Sequence, residues 1–150
     1  MAATDTSEKG LESLIVESLI CDAGYQPGRP EDYDRDHAVD LAKLLAFLRS
    51  TQSEALAALD IETEGPKRAQ FLSRVQGEIA KRGVIDLLRH GVRHGPTSVD
   101  LFYGKPSPGN VKAAERYAAN VFSVTRQLHY SKDSGALSLD LCIFINVGTL

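Results

Sequence analysis

Ser138-Leu-Asp-Leu-Cys-Ile-Phe-Ile-Asn146 is the most strongly patterned stretch of the chain. Its apolar, β-prone content predicts a strand over 137–146. Side chains alternate across a strand, so Leu139, Leu141, Ile143 and Ile145 share one face and Cys142 and Phe144 the other. A strand apolar on both faces is expected in the middle of a sheet, with cover on both sides. Asp140 breaks that pattern near the strand's start. A carboxylate on a buried strand is costly unless it is paired, hydrogen-bonded or on a metal. A solvated strand end and a metal-ligating position both meet that requirement, and spacing does not choose between them.

Working outward, 121–130 reads as the preceding strand by its Val, Phe, Thr and Tyr content, and 131–135 as the turn between the two. Val111–Asn120 is Ala-rich and predicts a helix started near Ser107 or Asn110. Ser98–Tyr103 is β-prone and is broken by Gly104–Gly109. The earlier chain reads as helical. Ser7 is a plausible N-cap for a helix with Leu11, Leu14, Ile15, Leu19 and Ile20 as its apolar stripe, closed at Gly24. Residues 1–6 read as a frayed tail. After a Pro/Gly loop at 24–34, a second helix is expected from Asp34 or Asp36, burying Val39, Leu41, Leu44, Leu45 and Leu48. In that reading the acidic run Glu31–Asp36 is a charge bias at the helix start. Ser53–Leu59 is a further helix, Pro66 opens another to about Lys81, and Val84–His90 continues beyond Gly83.

Composition narrows the functional classes. The 150 residues suit one domain, and 43% hydrophobic with 25% charged residues is ordinary for a globular chain. Seventeen Lys+Arg against twenty Asp+Glu give a net charge of −3. Proteins that wrap DNA unaided carry a basic surplus, so nucleic-acid contact here is expected to be local or supplied by a larger assembly. No apolar run approaches a membrane span, and the N-terminus lacks the pattern of a secretory signal. Cys21 and Cys142 have no metal-type spacing and read as reduced, cytoplasmic thiols.

Residues 120–146, with Ser7-Glu-Lys-Gly-Leu-Glu-Ser-Leu-Ile15 and Gly24-Tyr25 at the other end, resemble the N-terminal domain of the type I restriction enzyme R subunit. The resemblance covers nearly the whole chain and is most specific over 120–146. It implies an α/β (α+β) fold of the PD-(D/E)xK nuclease type, a mixed sheet flanked by helices with an extended helical N-terminal part. It implies a single domain over 1–150, truncated before the Glu-x-Lys strand, with the sheet incomplete at its C-terminal end. Asp140 matches the family's metal-ligating strand Asp, and Glu12, or else Glu8, matches the acid of its first helix. The implied activity is Mg²⁺-dependent cleavage of double-stranded DNA. In the full-length family protein it is coupled to ATP-driven translocation, with methyltransferase and specificity subunits as partners and no membrane.

The chemistry is coherent. Carboxylates hold Mg²⁺ through oxygen ligands and leave positions for water. The ion offsets charge on the phosphate and lowers the water's pKa. A nearby Lys helps to position the nucleophile and offset negative charge. Here the chain departs from the family, because no Glu-x-Lys occurs anywhere in it and no P-loop motif is present. Cleavage by the chain alone is therefore not expected.

Arg126 and Gln127 lie on the strand before Asp140. Arg126 could meet a phosphate bidentately and Gln127 a phosphate or the backbone, or both could be ordinary strand residues. His90 and His94 have the i, i+4 spacing of a helical metal pair, but Gly91 and Gly95 each follow one of them and loop histidines are the default. Lys105 reads as a solvated loop residue. The rival readings are a non-catalytic subunit-docking domain and a degraded gene remnant.

Overall fold

A computed structural model of the chain describes residues 7–131, 133–146 and 148–149. Residues 1–6, expected as a frayed tail, lie outside the described residues. The architecture is mixed α/β: a small mixed sheet, two short hairpins and a set of helices.

Helix α1 spans Glu8–Cys21. Ser7 caps it, its hydroxyl accepting from the Gly10 N–H at 3.1 Å. Strand β1 (Gln26–Pro27) and a 3₁₀ turn (Pro30–Asp32) follow. A hairpin of β2 (Tyr33–Asp34) and β3 (Val39–Asp40) leads into α2 (Leu41–Thr51). Then come α3 (Ser53–Leu59), α4 (Pro66–Arg82) and α5 (Val84–His90). A second hairpin, β4 (Val92–His94) with β5 (Thr97–Val99), precedes α6 (Val111–Ala118). Strands β6 (Phe122–His129), β7 (Ser138–Ile145) and β8 (Gly148–Thr149) complete the main sheet. Its order is β1-β6-β7-β8, parallel at β1–β6 and antiparallel elsewhere.

Several expectations are corrected. The second helix begins at Leu41, not at Asp34 or Asp36. Asp40 caps it by accepting from the Lys43 N–H at 3.1 Å. Asp34 instead folds a turn, its Oδ1 accepting from the N–H groups of Asp36 and His37. The acidic run Glu31–Asp36 therefore builds a 3₁₀ turn and a hairpin, not a helix start. The stretch 98–103 is strand only to Val99.

A further correction concerns α1. Its apolar residues do not form one buried stripe: Leu11, Leu14 and Ile15 are 58%, 49% and 41% exposed. The helix is rolled so that Gly10 and Glu12 are buried and Val16, Leu19 and Ile20 half-buried. Residues 12, 16, 19 and 20 fall on one face of a helix, so turning Glu12 inward leaves Leu11, Leu14 and Ile15 outward. Strand β7 also departs from its pattern. Cys142 and Phe144 are buried as expected, but Leu139 and Ile143 on the opposite face are exposed.

Two apolar cores result. The larger joins α2 to α5, both strands of the β4–β5 hairpin, Leu101 and Val121. The smaller gathers Leu128, Cys142 and Phe144, with Tyr33 against them. Two asparagines tie these parts together. Asn146, fully buried, accepts from the Val121 N–H at 2.6 Å and donates to Leu101 O at 2.8 Å and Asn120 Oδ1 at 3.1 Å. Asn120 accepts from the Tyr103 N–H and donates to the carbonyls of Tyr103 and Tyr117. Gly28 lets the first loop close on the sheet. Its N–H donates to Val124 O at 2.8 Å, and a Cβ there would collide with Thr125 Oγ1.

Asn146→Ala removes three buried hydrogen bonds and leaves a non-glycine side chain at a φ of 53°. A loss of roughly 3 kcal/mol in urea unfolding is expected, since each buried group left unpaired costs about 1–3 kcal/mol. Asn146→Gly, which suits that backbone, should be less damaging.

Asp34 supplies a pH dependence. Burial pushes its carboxyl up, but hydrogen bonds from the His37 ring and N–H and from the Asp36 N–H outweigh this and hold it below its usual value of 3.8. A carboxyl lowered by folding contributes stability above its unfolded pKa, and that stability is lost as pH falls through the folded value. Unfolding measured across the acid range should therefore show a smaller slope below pH ~4 in Asp34→Asn than in the wild type.

Candidate functional site

The site sits where α1 crosses β6 and β7. Arg126 Nε donates to Glu12 Oε1 at 2.7 Å, and a second guanidinium nitrogen donates to Ser13 Oγ at 3.3 Å. Gln127 Nε2 lies 3.4 Å from both Glu12 Oε2 and Asp140 Oδ1. One side-chain amide thus bridges a carboxylate from the first helix and a carboxylate from strand β7.

Neighbouring side chains on a strand normally point to opposite faces. Arg126 and Gln127 nevertheless both reach Glu12. The reason lies in the backbone: Gln127 stands at a φ of 51°, in the left-handed region, inside β6. The ladder pairs Arg126 with Leu141 and Leu128 with Leu139, so Gln127 falls opposite Asp140 without shifting the register. A left-handed non-glycine residue costs roughly 1–3 kcal/mol and persists only where its surroundings hold it. Here the held arrangement is the convergence of two consecutive side chains on one carboxylate.

Burial differs across the cluster. The Glu12 side chain is 8% exposed, so its carboxylate needs the Arg126 partner. Arg126 is more open, and Gln127 and Asp140 are exposed. The cluster is therefore a nearly buried carboxylate paired with a half-open cation, with an exposed amide and an exposed carboxylate beside them. The first-helix acid that faces it is Glu12, while Glu8 lies exposed in the first turn.

Glu12 and Asp140 offer oxygen ligands of the type Mg²⁺ takes, and one or two carboxylates with waters and phosphate oxygens suffice for that ion. The donor set is compatible with the ion. It is sparse, since no group of three or more His, Cys, Asp or Glu side chains suited to a metal occurs among the described residues.

The other sequence candidates stay apart from this cluster. His90 ends α5 and bonds Asp86, whereas His94 is on β4 with its ring edge-on to Phe71, so the two do not form a helical pair. Lys105 is an exposed loop residue. Ser13, which accepts from Arg126, had no signal in the sequence beyond its position next to Glu12.

No protein-family model matches the chain, and no curated protein or solved structure matches it. Among the described residues no helix is long and apolar enough to cross a membrane.

The Glu12–Arg126 pair is open to a thermodynamic test. Arg126→Ala strands a nearly buried carboxylate and is expected to cost on the order of 2–3 kcal/mol, somewhat below the range for a fully buried pair because Arg126 is partly solvated. Glu12→Gln, which removes the charge, should cost less. The double variant should recover part of the Arg126→Ala loss in a denaturation cycle.

Proposed function

We propose that the chain is a nuclease-type N-terminal domain of the kind found in type I restriction R subunits, with a PD-(D/E)xK-like sheet and half of a Mg²⁺-dependent DNA-cleavage site. The observation that supports this reading is the meeting of Glu12 and Asp140 across Gln127. These carboxylates come from opposite ends of the chain, and both are positions that the family resemblance implies.

In this reading Glu12 and Asp140 would hold Mg²⁺, which when bound supplies charge relief at the phosphate and an activated water. The chain's own residues do the rest. Arg126 neutralises Glu12 before DNA arrives, and its open side is placed to take a phosphate oxygen. Gln127 holds the two carboxylates at a fixed separation and spares them direct like-charge contact. The net charge of −3 gives little long-range pull on DNA, which fits a domain working beside methyltransferase and specificity subunits that supply most of the DNA grip. ATP belongs to a motor that these residues do not encode. These residues hold no Glu-x-Lys to complete the site, so they are expected to bind the ion but not to cut.

A second reading is a docking domain without catalysis. It is favoured by the apolar side chains that α1 and β7 leave exposed, namely Leu11, Leu14, Ile15, Leu139 and Ile143.

Mn²⁺ titration followed by electron paramagnetic resonance separates the two. The nuclease reading expects saturable binding of one ion, lost in Asp140→Asn and weakened in Glu12→Gln, with no nicking of supercoiled plasmid in Mg²⁺. Absence of binding, or binding indifferent to Asp140→Asn, removes the nuclease reading and leaves the docking one. Nicking that Asp140→Ala abolishes would overturn the expectation that the chain alone is inactive.

A further inference from the structure

Away from the sheet, the β2–β3 hairpin and α4 bring together Asp34, His37 and Ser73. The Asp34 carboxylate is fixed twice over. Its Oδ1 accepts from the backbone N–H groups of Asp36 and His37 at 2.8 and 3.2 Å, and its Oδ2 lies 3.0 Å from His37 Nδ1. A carboxylate can only accept, so Nδ1 carries the proton, and in the neutral ring Nε2 is left as an acceptor. Nε2 lies 3.4 Å from Ser73 Oγ. The order is carboxylate, imidazole, hydroxyl, the relation in which a histidine takes a proton from a serine and a carboxylate orients the ring. The outer contact is long, as such contacts often are before a substrate is bound.

The group borders an open cavity of about 500 Å³. Asp34, His37, Leu41, Ala69 and Leu72 are in its wall. Ser73 is one turn beyond Ala69 on the same face of α4, is solvent-exposed, and reaches the cavity wall through its contact with His37. Asp34, Asp36 and Glu64 give the wall a negative character. Arg68, whose guanidinium donates to the carbonyls of Ile61 and Glu62, offsets only one of these three charges. Anionic ligands are disfavoured, and the apolar floor suits an uncharged acyl group.

We propose that Ser73, activated by His37 and Asp34, is a nucleophile toward small uncharged or cationic carboxylic esters. Ser73 Oγ bonds to the ester carbonyl carbon as its proton passes to His37 Nε2. The carbon–oxygen bond to the alcohol breaks, and the departing oxygen takes that proton from His37. Water then attacks the acyl-serine, giving its proton to His37, and Ser73 recovers the proton as the acid leaves. The backbone N–H groups inside α4 are spent on the helix itself. The hydroxyl is thus activated without a ready cradle for the carbonyl oxygen, so acylation rather than rapid turnover is the expected behaviour. This inference stands apart from the nuclease reading and shares no residue with it.

The test is reaction of the full chain with an uncharged alkyl fluorophosphonate, with the adduct located by peptide mass spectrometry. Fluoride is the leaving group in place of the alcohol. The adduct is expected on Ser73, absent in Ser73→Ala, and formed roughly 10²-fold more slowly in His37→Gln, the scale of a lost general base. Asp34→Asn should slow it as well. Circular dichroism checks that each variant is folded. Ser73 is exposed, so Ser73→Ala is informative even if the hairpin variants unfold. The proposal is overturned if no adduct forms, if adducts scatter over other hydroxyls, or if a folded His37→Gln labels as fast as the wild type.

Discussion

The pair of buried amides at Asn120 and Asn146 is the constraint on which the other parts depend. Asn146 stands just past the end of β7, and Asn120 just before β6. Together they satisfy the Val121 N–H, the Leu101 carbonyl and the backbone of Tyr103. Leu101 belongs to the helical core, with Phe102 and Tyr103 packed against that core, while β6 and β7 form the sheet. The asparagines therefore fasten the helical core to the sheet. Apolar burial alone is non-directional and would tolerate sliding of one part on the other. A network in which each amide must meet its own backbone partners does not.

That fastening reaches the Glu12–Arg126–Gln127–Asp140 cluster through the ladder. The Asn146 N–H donates to Val121 O, and from there the β6–β7 register runs without a slip to His129 and Ser138. A register moved by one residue would send every side chain to the other face. Gln127 could then no longer stand opposite Asp140. The left-handed backbone at Gln127 is a local cost held in place by this pairing, and it is what turns two successive strand residues toward one helix carboxylate.

Helix α1 illustrates how an electrostatic contact competes with apolar patterning. Its leucines and isoleucines are spread around the helix, and half-burial of Val16, Leu19 and Ile20 leaves Leu11, Leu14 and Ile15 to solvent. In this rotation Glu12 meets Arg126. With Glu12 inward, its carboxylate needs the Arg126 partner, since leaving it unpaired would cost on the order of 2–3 kcal/mol.

The chain's local features were legible where they act over a few residues. Ser7 as a cap, Asn110 as one of two candidate caps beside Ser107, Pro66 as a helix start, Gly83 as a break and the β6–β7 hairpin all follow from neighbours in sequence, because turn and cap chemistry is short-range. So was the anomaly of Asp140, a charge in an apolar alternation. The rotation of α1 was not legible, since which of two possible stripes faces inward depends on a partner at Arg126, far along the chain. Nor was the start of α2, expected at Asp34 or Asp36: the β2–β3 pairing takes Asp34 into a turn and leaves the cap to Asp40. The roles of Asn120 and Asn146 were hidden for the same reason: an asparagine beside a strand reads as a turn residue until its amide finds distant carbonyls. Sequence alone determined most of the helices, the β6–β7 hairpin and the residue types able to do chemistry. Only the tertiary structure decided which of them meet, because hydrogen bonds and ion pairs between remote segments are set by packing geometry that no local pattern carries.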